Sequence, residues 1–273
     1  MLSAVTGQRG LAPKRLVLRF IRYCHILFCD KGLPAKIGIY FHELEPRFHE
    51  PFAEVVAYFR KLNYRFAGPH TFLANPDERS VFVSFDDNHR SWYKSLWLFD
   101  KLGVPVTFYV NTLPMRNMAS EEEIDAYYDR IDHHGPRVPL NESELMALSK
   151  AGHTIGAHTH SHSKLTSLSV EMAQKDILRG KEELERIIGK RVEHFAYPYG
   201  MRRYFSEELR AYCKEIGFKT VANAIPGLQH SQQHPFSLER TGWHCERPFS
   251  YNVANIGIDG RLFAHLTGRS LIG

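Results

Sequence analysis

The sequence predicts an α/β fold: a mostly parallel sheet covered by helices and curled into a distorted, seven-stranded (β/α) barrel. Strand-like runs alternate with helical ones from Pro34 to about Ala222, the pattern of βαβ units. Polar clusters fall at or just beyond the C-terminal ends of several of those strands, where such a barrel carries its site; an open sheet would prefer a crevice at a switch point. The length also fits. A chain of 273 residues, 43% of them apolar, buries roughly 75% of its extended surface and sustains one large core.

Lys36–His42 (KIGIYFH) reads as the first strand, and Phe52, Val55, Val56 and Phe59 give Pro51–Leu62 helical spacing. Val81–Phe85 (VFVSF) is a β-branched and aromatic run ending in two carboxylates. A helical stretch Trp92–Leu102 leads to the strand Val104–Val110, whose Pro105 is tolerated only near the strand's start. Ala119–Pro139 is a polar excursion. The alternation then resumes with helix Glu142–Ala151, strand His153–Ala157, helix Val170–Ile188, strand His194–Tyr197, helix Ser206–Ile216 and strand Phe218–Ala222. Beyond Asn223 the pattern fades, with short strands expected in Phe236–Thr241 and Ile256–Ala264.

Charge divides the chain into a basic extension, residues 1–31, and a barrel domain, residues 32–273. The extension holds six of the 35 basic residues and one of the 30 acidic ones, leaving 29 of each in the domain. Nothing there favours nucleic acid as a partner. Within residues 14–28, Arg15, Arg19 and Arg22 would share one side of a helix, opposite Val17, Phe20, Cys24, Leu27 and Phe28. Such a helix either covers the end of the domain or makes peripheral contact with anionic lipid. It is too short and too charged to span a bilayer. With no cleavable signal pattern, a cytoplasmic location is expected, with any membrane contact at the inner face. Cys24, Cys29, Cys213 and Cys245 lack metal spacing and read as free thiols in a reducing compartment.

Three strand ends carry the chemistry: Ser84-Phe85-Asp86-Asp87-Asn88, His158-Thr159-His160-Ser161-His162 and Ala196-Tyr197-Pro198-Tyr199-Gly200. Two adjacent buried carboxylates lose hydration and repel one another unless a cation relieves them. His158 and His162, four apart, can grip one metal from a single helical turn. With an Asp they form a two-histidine, one-carboxylate set suited to Zn²⁺, and also to Co²⁺, Ni²⁺ or Fe²⁺.

Taken together, the three segments resemble the polysaccharide deacetylase (NodB-homology) family of carbohydrate esterases. SFDDN matches the family's [ST]-F-D-D-G, HTHSH its H-[ST]-x-x-H with the GHxIG lead-in at Gly152–Gly156, and AYPYG the core of its third motif. LWLFDKLGVPVTFYV (Leu96–Val110) is similar to the family's helix-then-strand stretch, and the likeness runs from about Ile37 to Ala222. The resemblance implies Asp86 as general base and Asp87, His158 and His162 as ligands of one divalent metal, with zinc foremost. It also implies a groove wall at Tyr197 and Tyr199, either of which can offer a sugar platform, with the Tyr199 N–H as oxyanion donor. His160 lies between the ligands and is expected to point away or to be only hydrogen-bonded. The implied activity is removal of N-acetyl groups from an amino sugar in a polysaccharide or glycan precursor, with carbohydrate as the partner.

The chain departs from the family in three places. Asn88 replaces a Gly after the Asp pair, and Asn tolerates left-handed backbone. Ala196 stands where many members have an Arg that orients the base, so that contact is absent or supplied elsewhere. The late segment carrying the family's general-acid His is missing; Arg240, His244 and His265 are the downstream candidates, His244 foremost. His42 and Glu43 end the first strand at what would be the groove rim or a satisfied polar pair. Alternatives are a sugar O-deacetylase or deformylase, or a carbohydrate-binding barrel without turnover. No G-x-S-x-G and no phosphate-binding glycine loop is present.

Overall fold

The computed structural model describes residues 33–75, 78–115, 117–225 and 234–256. The segment 14–28 and His265 lie outside the described residues. No helix among the described residues is long and apolar enough to cross a membrane.

The strands are β1 (Lys36–Phe41), β2 (Arg65–Phe66), β3 (Ser80–Asp87), β4 (Val106–Val110), β5 (Thr154–Ala157), β6 (His194–Ala196), β7 (Thr220–Ala222) and β8 (Thr241–Gly242). The helices are α1 (His49–Lys61), α2 (Pro69–Ala74), α3 (Ser91–Lys94), α4 (Leu96–Leu102), α5 (Glu121–Arg130), α6 (Glu142–Lys150), α7 (Val170–Ile188), α8 (Glu207–Glu215) and α9 (Phe249–Ile256). Seven strands follow the order β7-β6-β5-β4-β3-β1-β8, while β2 pairs with β3 off this path. Every pairing is parallel. The result is a curled, open half-barrel. Its end strands do not pair with each other; Leu238 makes an isolated parallel bridge to Ala222 across part of the gap.

Register places the chemistry at one level. Asp86 and Asp87 stand opposite Tyr109 and Val110, and Val110 stands opposite Ala157, one residue before His158. The next pair, Ala157 and Phe195, sets the third motif beside the histidines. All eight residues of β3 are buried, as expected of a parallel strand covered on both faces. Phe41, Phe52, Phe85, Phe99, Phe108 and Trp92 form the aromatic centre of the core, with ring centroids 5.1 to 6.2 Å apart in the contacting pairs.

Helix starts follow local chemistry. Ser120 and Asn141 form capping boxes with Glu123 and Glu144, and Ser169 and Ser206 cap α7 and α8 by accepting from the backbone N–H three residues on. The stretch expected as one helix over Trp92–Leu102 breaks into α3 and α4 at Ser95. The Ser95 hydroxyl donates to the Leu44 carbonyl (2.9 Å) and contacts His49 Nε2 (2.8 Å), bonds that take it out of a regular helix. Of the stretch Ile256–Ala264, where a short strand is expected, only Ile256 is among the described residues: it ends α9, and its buried side chain shares that helix's inner face with Asn252. In Phe236–Thr241, the backbone makes one turn of 3₁₀ helix and only Thr241 enters a strand.

One glycine fixes how closely the longest helix meets the histidine loop. A Cβ on Gly180 would lie 2.6 Å from the Thr159 carbonyl carbon and 2.8 Å from the His160 nitrogen, both backbone atoms that cannot swing aside. Gly180→Ala is therefore expected to lower stability by about 1–3 kcal/mol, read as a lower urea midpoint with an unchanged slope, although alanine favours helix.

Candidate metal centre and groove

The two adjacent carboxylates both reach the mouth of the barrel because the backbone turns at the second of them, the last residue of β3. Alternation would send neighbouring side chains to opposite faces, but Asp87 adopts left-handed backbone, φ 83°. The expectation that Asn88 would take the left-handed turn is corrected here. Asn88 is not among the positive-φ residues; its fully buried side chain clamps three segments instead. Its Nδ2 donates to the Asn111 carbonyl (2.9 Å), its Oδ1 accepts from the Leu140 N–H (2.8 Å), and its carbonyl accepts from the Tyr128 hydroxyl (2.8 Å).

Thr159 and His162 are also left-handed, at φ 66° and 57°, so the HTHSH segment is a tight turn rather than a helix. Its shape is held by its own threonine, whose hydroxyl accepts from the His162 N–H (3.0 Å), and by Asn111, whose Nδ2 donates to the His158 carbonyl. The Tyr127 hydroxyl donates to Asn111 Oδ1 (2.9 Å), bringing α5 into the same scaffold. Such sparsely populated backbone costs on the order of 1–3 kcal/mol per residue and persists only where surrounding contacts enforce it.

Within this frame Asp87, His158 and His162 each present one ligand atom, all within 4.8 Å of one another, and all three residues are buried. Asp87 Oδ1 lies 3.2 Å from His162 Nε2 and 3.7 Å from His158 Nε2. His158 Nδ1 is 2.7 Å from the Ala196 carbonyl, which can only accept, so Nδ1 carries the proton and Nε2 presents its lone pair. Burial pushes His158 down to about 4, keeping that ring neutral. Burial works to raise Asp87, yet the neighbouring His162 and His89 outweigh it and hold the carboxyl well below the usual range. His162 Nδ1 is a buried atom without a hydrogen-bond partner. A carboxylate and two imidazoles at this spacing fit one divalent ion with room for further ligands.

Asp86 sits in the same small cavity, about 140 Å³, but in different hands. Arg240, fully buried, clasps it with both ends of the guanidinium: Nη1 to Oδ1 at 2.5 Å and Nη2 to Oδ2 at 2.8 Å. Arg240 also donates to Ser84 Oγ and to the Asn223 carbonyl, each at 2.9 Å, and lies over the rings of Tyr40 and Tyr109. Burial would lower the guanidinium, but Asp86 beside it outweighs that and raises it. This fork orients Asp86 where Ala196 cannot. The residue was read as a candidate proton donor; a guanidinium locked in a bidentate pair inside the barrel serves as an orienting group instead.

The remaining expected residues separate. Tyr199 is 38% exposed, with its ring 5.0 Å from that of His162. Tyr197 is 2% exposed and stacks flat on Phe205 at 4.5 Å, so Tyr199 has the open face a sugar needs. His160 turns away from the ligands, its Nδ1 within 2.8 Å of Thr112 Oγ1 and 3.0 Å of Glu183 Oε2. His244 lines an adjoining outer cavity together with Asp87; its side chain is 47% exposed, and its Nδ1 is 3.7 Å from Glu246 Oε1. His42 lines both cavities and faces the ligand cluster from the end of β1. The Trp92 indole N–H donates to the His42 carbonyl at 2.5 Å and anchors that strand end.

Known proteins agree with this arrangement. A family model described as "Polysaccharide deacetylase" matches residues 74–221. The peptidoglycan-N-acetylmuramic acid deacetylase PdaA of Bacillus subtilis (strain 168) is 26% identical over 152 residues, 55% of this chain and 48% of that protein. The chain thus spans about half the length of the curated relatives it matches. Among solved structures, IcaB from Ammonifex degensii superposes with a TM-score of 0.65 at 19% identity, covering 83% of this chain and 97% of that one. The Streptococcus pyogenes deacetylase PplD, described in complex with acetate, gives 0.63 at 15% identity, covering 80% and 95%. These structures share the fold.

Two outcomes follow from the geometry. Protein prepared without chelator is expected to carry about one equivalent of divalent metal by elemental analysis, and Asp87→Ala or His162→Ala to lose most of it. Arg240→Met should destabilise the protein by about 3–5 kcal/mol in urea unfolding, because it strands a buried carboxylate. Pairing it with Asp86→Asn should recover part of that loss.

Proposed function

The chain belongs to the polysaccharide deacetylase family, and from that premise we propose that it removes N-acetyl groups from an amino sugar in a polysaccharide or glycan precursor. One observation carries the reading: in a single cavity, three ligand-type side chains converge while a second carboxylate is held apart from them by an arginine fork. The two aspartates therefore have different tasks.

A divalent ion in the Asp87–His158–His162 set, zinc in this proposal, would polarise the acyl oxygen and acidify a water. Asp86 is the general base. Arg240 holds its carboxylate in one orientation, so it can take the proton of the attacking water. The Tyr199 N–H receives the negative charge that develops on the acyl oxygen. Tyr199 presents its exposed ring as the platform for the sugar's apolar face.

An amide also requires a proton on the departing nitrogen. We assign it to His42, which lines the cavity shared by Asp86, Asp87, His158 and His162, whereas His244 lines only the outer one. These assignments remove both grounds for a barrel without turnover, since the orienting arginine and a histidine donor are each supplied from outside the family's usual positions. A cytoplasmic location belongs to the same proposal; by the spacing of their basic and apolar residues, 14–28 would either cover the end of the domain or contact anionic lipid at the inner membrane face.

The test is acetate release from N-acetylated oligosaccharides and lipid-linked sugars by metal-loaded protein. Asp86→Asn is expected to retain its metal while kcat falls by a factor on the order of 10² or more. His42→Ala should depress hydrolysis of an acetamide far more than that of an acetate ester, whose leaving group needs the proton less. If His244→Ala shows that amide-selective loss and His42→Ala does not, the proton donor is His244.

A further inference from the structure

The groove continues past Asp87 into the outer cavity, about 260 Å³, which shares His42, Asp87 and Ile131 with the inner one. Glu43, Asp132 and Glu246 stand on its wall, and among the described residues no lysine or arginine lines it. Cations stand beside it: Arg47, 67% exposed and 3.5 Å from Glu43, and Arg247, near enough to His244 to help lower it. Burial pushes His133 down to about 4 and lowers His244, so these rings bring no balancing charge at neutral pH. Phe41, Phe48 and Trp243 supply apolar surface.

At the inner wall several polar groups lack partners. Glu43 Oε2 and His133 Nε2 are buried, 3.8 Å apart, and neither makes a hydrogen bond. Behind them His89, only 2% exposed, packs its ring 4.7 Å from that of His133. Its Nε2, also without a hydrogen bond, faces Asp87 Oδ2 in the cavity wall at 3.8 Å. The missing side chain of Gly135 keeps the space beside the pair open: a Cβ there would stand 2.8 Å from His133 Nε2 and 2.9 Å from Glu43 Oε2. An unpaired buried carboxylate oxygen is costly, and Glu43 Oε2 can accept a hydrogen bond from a donor in the cavity.

The far side of the metal centre has the opposite character. Lys164 lies 5.3 Å from the rings of both Tyr199 and Tyr204, and Arg203 lies 4.8 Å from Tyr204. The groove is thus acidic on one side of the reacting position and basic on the other.

We propose that the outer cavity is a subsite for a sugar residue bearing a free, protonated amine, adjacent to the residue whose acetamide is cleaved. The proposal rests on the deacetylase reading. An ammonium offers three donors and a positive charge, matching Glu43, the neutral His133 ring and the surrounding carboxylates; a neutral acetamide offers one N–H and a bulky acyl group. The basic far side repels the same ammonium. A polymer that has lost one acetyl group is therefore drawn in with that residue in the acidic cavity, and each product amine favours reaction at its neighbour.

Calorimetry on the full, metal-loaded chain tests this with two probes, a fully deacetylated glucosamine tetramer and its N-acetylated counterpart. The glucosamine tetramer is expected to bind, more weakly at physiological than at low salt. Glu43→Gln should reduce the ratio of the two affinities about tenfold, and Glu246→Gln, at an exposed position, should shift it in the same direction by less. An unchanged ratio in both folded variants overturns the subsite. Glu43-dependent binding of the amine without acetate release from any sugar would leave the subsite standing and remove the deacetylase reading. Acetate release with equal affinity for both tetramers would do the reverse.

Discussion

The structure turns on two carboxylates that share one buried strand end. Neither Asp86 nor Asp87 is more than 5% exposed, and two adjacent charges cannot both be taken out of water without separate compensation. The left-handed backbone at Asp87 sends both into one cavity, so alternation of the strand does not part them. Compensation parts them instead. Arg240 takes Asp86 as a bidentate partner, while Asp87 faces the Nε2 atoms of two histidines. Chemically the two residues have become different groups: one is an oriented carboxylate clasped by a guanidinium and the other a ligand.

That division needs a rigid mouth. The polar helix-and-loop excursion between β4 and α6 provides much of it. Tyr127 and Tyr128, both fully buried, reach from α5 to Asn111 and to the Asn88 carbonyl. Asn111 then carries the connection to the backbone of His158 and Thr159. Four hydrogen-bonding side chains thus join the loops after β3, β4 and β5. Buried hydroxyls with fixed partners impose geometry on the turn beyond what its own sequence dictates.

The sequence made the repeating units and ligand set legible because both are local. VFVSF and VPVTFYV are buried parallel strands, and the chemical motifs sit directly at strand ends. What could not be read there depends on closure of the sheet. Arg240 is separated from Asp86 by 154 residues, and only the placement of β8 beside β1 brings it into the barrel. The signal was an Arg in a region of weak periodicity, and it pointed equally well to a proton donor. His42 likewise had no partner in its own segment; its place opposite the histidine turn appears once β1 and β3 are neighbours. Asn88 shows the other limit: tolerance of left-handed backbone is a property of the residue type, but here the hydrogen bonds of its side chain decide its role.

Arg240 also determines the direction from which a substrate can enter. Its guanidinium occupies the interior between Tyr40 and Tyr109, with Ser84 and Asn223 taking its remaining donors. The middle of the half-barrel is therefore filled, and approach is confined to the C-terminal mouth. There the metal-ligand cluster lies between an aromatic, basic flank at Tyr199 and Lys164 and an acidic flank at Glu43 and Glu246. Selectivity then falls to side chains on either flank, while the orientation of Asp86 depends on contacts that those flanks do not touch. A change of sugar preference can arise at the rim without disturbing the Asp86–Arg240 fork, because the fork is satisfied wholly within the barrel.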